Sequence, residues 1–421
     1  MKFVLAAYGS RGDVEPSVVV GQELRRRGHD VHLAVPPNMV GFSEAAGLAT
    51  VPCGLDSRAI MELQRDYWTC YTRSPWRLRE LNRMGRETEE FAVRCWGEMI
   101  HALTPLAAGA DLLISGLIFE HPAINVAEHY DIPLATLHFF PVRAHGQFLP
   151  RLPAALPRAA MTANDWLVWR RTRNGEDALR RELGLPIATG PAPRRVIERG
   201  SLEIQAYDEV CFPGLAEEWT SWGRRPFVGA LTMALPTDAD NKVLSWITAG
   251  TPPICFGFGS VTVESTAETI AMIDAACAQL GERALVCAGS SDFSDVHHRE
   301  HVKVVDVVNY AEIFPACRVV VHHGGAGTLA AALRAGVPQV ILWTLPDQPL
   351  LGAAIKRLKV GTARRLSTTT EKSLVADLRK VLDPNCLARA RAISARMTRP
   401  AESVAAAADL VEAFARRGWA G

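Results

Sequence analysis

The stretch Val319–Thr328 (VVVHHGGAGT) constrains this chain more than any other. Three β-branched residues in a row read as the end of a buried strand, and Leu329-Ala330-Ala331-Ala332-Leu333 beyond them reads as a helix. Between the two, Gly324, Gly325 and Gly327, with Ala326, permit a tight turn and a close backbone approach to a ligand. Such a turn leaves N–H groups pointing outward at a helix N-terminus, where unpaired donors and the helix dipole favour an anion. His323 adds a donor able to carry positive charge and Thr328 adds a hydroxyl, so a phosphate or diphosphate is the natural guest. Small residues placed only for strand–helix packing would write the same string, and the rest of the chain has to decide.

At 421 residues the chain exceeds one ordinary core and implies two domains of roughly 200 residues each. Lys2–Tyr8 reads as a strand, Gly9-Ser10-Arg11-Gly12-Asp13 as a loop, Pro16–Arg27 as a helix and Val31–Val35 as the next strand. This βαβ unit predicts a parallel sheet with ligands at the strand C-termini. Strands at Asp111–Ser115 and Leu134–Phe139 continue it, with a helix at His121–Tyr130 between them. A second βα series follows a linker at Pro226–Leu231 and Pro236–Asn241. Its strands are read at Pro253–Phe258, Ala284–Ala288, Val302–Val308, the valine run and Gln339–Trp343, and a last amphipathic helix at Glu402–Arg416. The expected class is α/β, with two Rossmann-like doubly wound parallel-sheet domains facing across a cleft.

A formal net charge of +1 lacks the basic face of a dedicated nucleic-acid binder. Nine scattered cysteines without a CxxC pair fit buried reduced thiols better than a disulfide framework or a zinc site. Pro105 and Asp111 interrupt the best apolar run, and the six residues between Lys2 and Gly9 are too few for a secretory leader. The expected location is the cytoplasm. From Arg143 to Gly200 there are eleven Lys/Arg and five Asp/Glu, 11 − 5 = +6, with Trp166 and Trp169 among them. That fits a solvated helix face or a patch resting on anionic lipid, giving peripheral contact with the inner face of the plasma membrane. Phe140–Pro157, rich in proline, reads as a functional or mobile loop, and Asp56–Leu103 as helical, charged and aromatic. Both are candidates for an acceptor site.

Asp13 lies after the first strand, where open α/β sheets present catalytic groups. It suits a general base taking a proton from an incoming hydroxyl, and equally an N-cap for the helix that follows. Gly257-Phe258-Gly259-Ser260 is half a dinucleotide fingerprint without its third glycine, and Pro36-Pro37-Asn38 stands where a ribose-binding acid is required. Both facts argue against a nicotinamide-dependent oxidoreductase. Asp238-Ala239-Asp240 has the pattern of a metal-holding pair, but turn and cap chemistry account for it, and His297-His298 has no evident ligand set around it. No metal is expected. Asp347-Gln348, at a strand end, sets a carboxylate beside an amide able to bind adjacent sugar hydroxyls.

Taken together, Gly9-Ser10-Arg11-Gly12-Asp13-Val14-Glu15-Pro16, Gly257-Phe258-Gly259-Ser260, His322–Thr328 and Asp347-Gln348-Pro349 resemble the family-1 glycosyltransferases of the GT-B fold. The glycopeptide-antibiotic and sterol glycosyltransferases are near groups. Over nearly its whole length the chain looks most like mycobacterial enzymes that glycosylate glycopeptidolipid-type cell-envelope glycolipids, notably at Leu24–Pro37, Gly200–Gly214 and Arg224–Met233. The resemblance implies an acceptor-binding domain at 1–225, a nucleotide-sugar domain at 226–396 and a closing helix at 397–421 that crosses back to the first domain. It also implies a catalytic base at Asp13 and a donor site made of Ser10, Arg11, Gly12, Ser260, Val308, His323, Gly324, Gly325, Ala326, Gly327, Thr328, Asp347 and Gln348.

The implied reaction is an inverting, metal-independent transfer of a hexose or deoxyhexose such as 6-deoxytalose, rhamnose or glucose. The donor is a dTDP- or UDP-sugar as co-substrate, with no cofactor, and the acceptor is a hydroxyl of a lipid-linked molecule. Rival readings are an enzyme acting on a sterol or secondary-metabolite aglycone, an oxidoreductase, and a non-catalytic helper. The sequence departs from the family pattern at Ala331, where plant relatives hold the ribose with a glutamate, which predicts tolerance of both dTDP and UDP. Val307 replaces their base-stacking tryptophan, and Leu329 stands where close relatives often carry a second threonine.

Overall fold

Side-chain alternation along Val319-Val320-Val321 sets the two faces of a sheet. Val319 and Val321 pack with Ile254, Phe256, Val286 and Val340, while Val320 turns to Cys255, Leu285 and Cys287 on the other face. A parallel strand covered by helices on both faces has no solvent side, so it reads as an unbroken apolar run. The computed structural model describes residues 1–147, 152–220, 224–259, 265–289, 301–345 and 347–417. They form two compact units: residues 1–209, 213–231 and 400–421 make the first, and residues 210–212 and 232–399 the second.

Among the described residues the first unit holds β1 (Lys2–Ala6), β2 (Asp30–Val35), β3 (Ala49–Pro52), β4 (Leu112–Ser115), β5 (Leu134–His138) and β6 (Leu202–Gln205). They lie in the order β3-β2-β1-β4-β5-β6, every neighbouring pair parallel. The second unit holds β7 (Ile254–Gly257), β8 (Ala284–Cys287), β9 (Val302–Val305), β10 (Val319–His322), β11 (Gln339–Trp343) and β12 (Gly361–Arg365). Their order is β9-β8-β7-β10-β11-β12, again all parallel, and repeats that of the first sheet. Both are doubly wound Rossmann-like sheets, as expected. The winding reverses between β1 and β4 in one and between β7 and β10 in the other, the places where such sheets open a crevice for ligands.

One expectation needs correction and two need refinement. Phe140–Pro157 is not a loose loop in its described part, because Arg143 and His145 are buried. Arg143 is clasped by both oxygens of Glu120 at 2.9 Å and by Glu203. Burial alone would raise the Glu120 carboxyl, but Arg143 and His138 outweigh it and hold it at about 2. The +6 balance of residues 143–200 is spent inside the fold at Arg143, Arg180 and Arg195, while Arg170, Arg171, Arg173, Arg181 and Arg194 stay exposed, as on a solvated helix face. Arg180 and Arg195 are buried against Glu128, and Trp169 donates to Glu176 at 3.1 Å. Glu120, Glu128 and Glu203 fall outside that window, so counting charge along the chain overstated the patch. Finally, Pro226–Leu231 ends where the first unit does, at Leu231, but it is paired to that unit's sheet edge: Gln205 N–H donates to the Pro226 carbonyl at 2.8 Å and Val228 N–H to the Gln205 carbonyl at 3.1 Å.

The final helix, Pro400–Arg417, belongs to the first unit. Arg27 reaches Asp409 at 2.6 Å and Glu412 at 3.3 Å, and His29 meets Glu412 at 3.0 Å. No described helix is long and apolar enough to cross a membrane.

Candidate functional site

In the second unit β10 ends at His322, and the helix Ala326–Arg334 starts after a three-residue turn. Gly324 has φ +98°, and a Cβ there would lie 2.9 Å from Ile341 Cγ2 and 3.1 Å from Gln348 Cβ. A side chain on Gly325 would meet His323 Nε2 at 2.7 Å. The turn therefore has room for glycine alone at both positions. Gly325 is the N-cap, no side chain caps the helix among the described residues, and Gly327 is exposed. The first N–H groups of this helix are thus left to an outside acceptor.

Two histidines flank the turn with separate tasks. His322 is buried, its Nε2–H donating to Gln339 Oε1 at 2.8 Å while Nδ1 accepts from Gly324 N–H at 3.1 Å. One neutral tautomer satisfies both bonds, and burial keeps it neutral by lowering its pKa to about 3. His323 was expected to be able to carry charge. Burial lowers it to about 4 against a weaker opposing pull from the Gly257 backbone, so it is a neutral imidazole at pH 7. Its Nδ1 is buried and has no hydrogen-bond partner among the described residues, an orphan beside the open helix end.

Asp347 is the N-cap of the helix Gln348–Leu358, and burial raises its carboxyl against backbone donors from Asp347 itself and Gln348. Gln348 is 3% exposed. Its Oε1 accepts from Thr344 N–H at 2.7 Å and Leu345 N–H at 3.0 Å, so the amide oxygen is committed to the chain. Val308 packs its side chain into the core just beyond β9. Asp240 takes Thr237 N–H at 2.6 Å, Thr237 Oγ1 at 2.8 Å and Asn309 N–H at 2.8 Å, which spends that acid on local structure. Among the described residues no group of three His, Cys, Asp or Glu is placed to hold a metal.

In the first unit β1 leads into Gly9 at φ +129°, where a side chain would strike Asp13 Oδ2 at 2.4 Å. The helix then starts at Arg11 rather than at Pro16, with Ser10 as its N-cap. Asp13 is therefore not the cap. It sits in the first turn and reaches back, Oδ2 accepting from Ser10 N–H at 2.6 Å and Ser10 Oγ at 2.8 Å. Proline early in a pattern suggests a helix start, but Ser-x-x-Asp is the stronger signal here and it wins. Arg11 is exposed and pairs with Glu15 at 3.2 Å. Across the winding reversal, after β4, Phe119 adopts φ 61°, unusual for a bulky residue, and packs on Tyr8 at 5.0 Å and Trp96 at 6.0 Å. His121 stacks on Trp96 at 4.3 Å.

Each sheet thus places one predicted cluster at its own reversal point. Comparison with known proteins agrees with that plan. Residues 3–145 match the glycosyltransferase family 28 N-terminal domain, and residues 275–414 match the erythromycin biosynthesis protein CIII-like C-terminal domain. An uncharacterized glycosyltransferase of Mycobacterium tuberculosis is 58% identical over 420 residues, covering 99% of this chain and all of the relative. The chain belongs to the family-1 GT-B glycosyltransferases. Solved structures are similar in fold: a calicheamicin glycosyltransferase (TM-score 0.72, 18% identity, 99% and 98% of the chains covered) and the glycosyltransferase VinC in complex with dTDP (TM-score 0.65, 18% identity, 98% and 100% covered).

Within this glycosyltransferase, His323, Gly324, Gly325, Ala326, Gly327 and Thr328 gather at the tip of β10, with Asp347 and Gln348 beside them past β11. Ser10, Arg11, Gly12 and Asp13 gather past β1 in the other unit. Ser260 and His297-His298 lie outside the described residues. Sequence reasoning missed the His322 lock on the turn, though its Gln339 partner sits at the start of the next strand. It also missed the Tyr8, Trp96, Phe119 and His121 aromatic group, which no local pattern announces.

Proposed function

We propose that this glycosyltransferase moves a hexose or deoxyhexose from a dTDP- or UDP-sugar to a hydroxyl of a lipid-linked acceptor, with inversion at the anomeric carbon. The observation that carries the reading is the uncapped helix end at Gly325–Thr328 beside the unpartnered Nδ1 of His323. Together they make a donor-lined seat for a diphosphate, and the fold relative VinC is in complex with dTDP. In the proposed step the bond from the anomeric carbon to the diphosphate oxygen breaks as the acceptor oxygen bonds the opposite face of that carbon. Asp13 takes the acceptor's proton. The negative charge growing on the leaving diphosphate is met by backbone N–H groups of the turn, the helix dipole and a hydrogen bond from neutral His323 in the tautomer that carries its proton on Nδ1, so the step needs no metal.

Ser10, Arg11, Gly12, Ser260 and the Val308 backbone complete the proposed donor site, with Asp347 and Gln348 toward the sugar. Gln348 serves through its amide nitrogen, its oxygen being taken. Ala331 offers no acid for a 2′-hydroxyl, which supports use of both nucleotides. Phe119 and His121, backed by the buried rings of Tyr8 and Trp96, suit an apolar acceptor, glycopeptidolipid-like or a secondary-metabolite aglycone. Calorimetry with dTDP and UDP, followed by mass spectrometry of products from a panel of dTDP- and UDP-sugars with deglycosylated envelope lipid and aglycones, tests this. Binding of both nucleotides and a glycosylated lipid are expected. Failure to bind either nucleotide rejects the reading, and transfer only to aglycones moves it to the second acceptor class.

A further inference from the structure

One end of the helix Leu78–Ala107 contributes little to the first unit's core. Its second half is buried through Cys95, Trp96, Met99, Ile100 and Leu103. Trp96 touches Phe119 and His121, which follow β4, so it stands level with the C-terminal edge of the sheet. Leu78 lies 18 residues upstream (96 − 78), about 27 Å farther along the axis at 1.5 Å per residue. The start of the helix therefore projects beyond the same edge that carries Asp13.

At that projecting corner, between the helix Ser57–Arg73 and Leu78, Tyr71 is 48%, Trp76 73% and Leu78 67% exposed. Arg77, Arg79, Arg83 and Arg86 follow, all exposed; Glu80, Glu87, Glu89 and Glu90 balance them over residues 76–90, so the positive excess is confined to the tip, where Arg77 and Arg79 meet Glu80 alone. Arg77 pairs with Glu80 and Arg83 with Glu87 at the surface, contacts that contribute little. Arg77 and Arg79, at the N-cap and in the first turn, also oppose the helix dipole, so the helix itself does not favour them there.

We propose that this corner docks on an anionic bilayer, with Trp76 and Leu78 at the headgroup level and the arginines over lipid phosphates. Tryptophan with arginine on a projecting tip is the chemistry of an interface between water and acyl chains. A protein partner of ordinary affinity needs a face of about 800 Å² a side, which three side chains at a tip do not supply. The docking deepens the lipid-acceptor reading, since the edge bearing Asp13 is then the edge nearest the membrane.

The test uses the full chain and vesicles of phosphatidylcholine alone or with about 30% phosphatidylglycerol, read by co-sedimentation at two salt concentrations. Binding is expected only to the anionic vesicles and weaker at high salt. Removing one arginine should weaken it about fivefold, and Arg77→Gln with Arg79→Gln and Arg83→Gln together over a hundredfold. Trp76→Ser should weaken it severalfold, with melting temperature and dTDP binding unchanged. Absence of binding, equal binding to neutral vesicles, or variants that bind like the parent overturns the proposal. So does self-association in sedimentation velocity that Trp76→Ser abolishes, which gives the corner to a second copy. Nucleotide affinity reports separately on the donor reading, so the two can fail independently.

Discussion

Asp13 has a structural task and a proposed catalytic one on one carboxylate. Its Oδ2 closes the first turn of a helix through Ser10, which fixes the rotamer that a catalytic base needs. Asp13→Asn keeps the shape and an acceptor oxygen, so the fold and dTDP binding should persist while turnover falls by roughly 10²–10⁴. Steady-state kinetics beside calorimetry separates the two, and unchanged turnover removes Asp13 as the base. His323 shows how burial overrides residue type. In the free protein its ring should titrate near pH 4 by NMR, and a midpoint near 6.5 would restore the charged form. Because the folded pKa lies below the unfolded 6.5, the unfolded chain takes the proton first. The stability held above 6.5 is lost as pH falls from 6.5 toward 4.

The turn between β10 and its helix contains glycines of different kinds. Gly324 is required by its backbone angle and by Ile341 and Gln348. Gly324→Ala should cost about 1–3 kcal/mol and disorder the turn. At Gly327 an added Cβ would meet nothing nearer than Thr232 Cγ2 at 4.0 Å. If the position served only the helix, Gly327→Ala would gain about 0.5–1 kcal/mol and change nothing else. If a diphosphate approaches the backbone there, the same variant melts higher and binds dTDP more weakly. Thermal melts with calorimetry decide it. This turn was legible in the sequence because a β-branched run, glycines and an alanine helix each demand their own geometry. Strands such as β6 and β12 were not, since LEIQ hides a buried glutamate paired with Arg143 and Arg225, and GTARR is a half-buried edge. Phe119 was illegible for another reason: the rings it packs on, Tyr8 and Trp96, lie far from it along the chain, so no local pattern marks its left-handed backbone.

At the scale of the molecule, two sheets share one winding although no repeat is visible in the sequence. Each unit has its own two-faced core, and the chain leaves the first unit near Leu231 and returns at Pro400. That return governs how the enzyme can be recombined with its relatives. A graft that replaces everything after residue 231 strips the first unit of its own last helix and asks Arg27 and His29 to accept a foreign Glu412 counterpart. Swapping residues 232–399 alone leaves that clasp native, so the two-junction hybrid should melt near the parent and the one-junction hybrid well below it. On the proposed donor assignment, shuffling nucleotide preference among these enzymes is a matter of cassettes rather than halves.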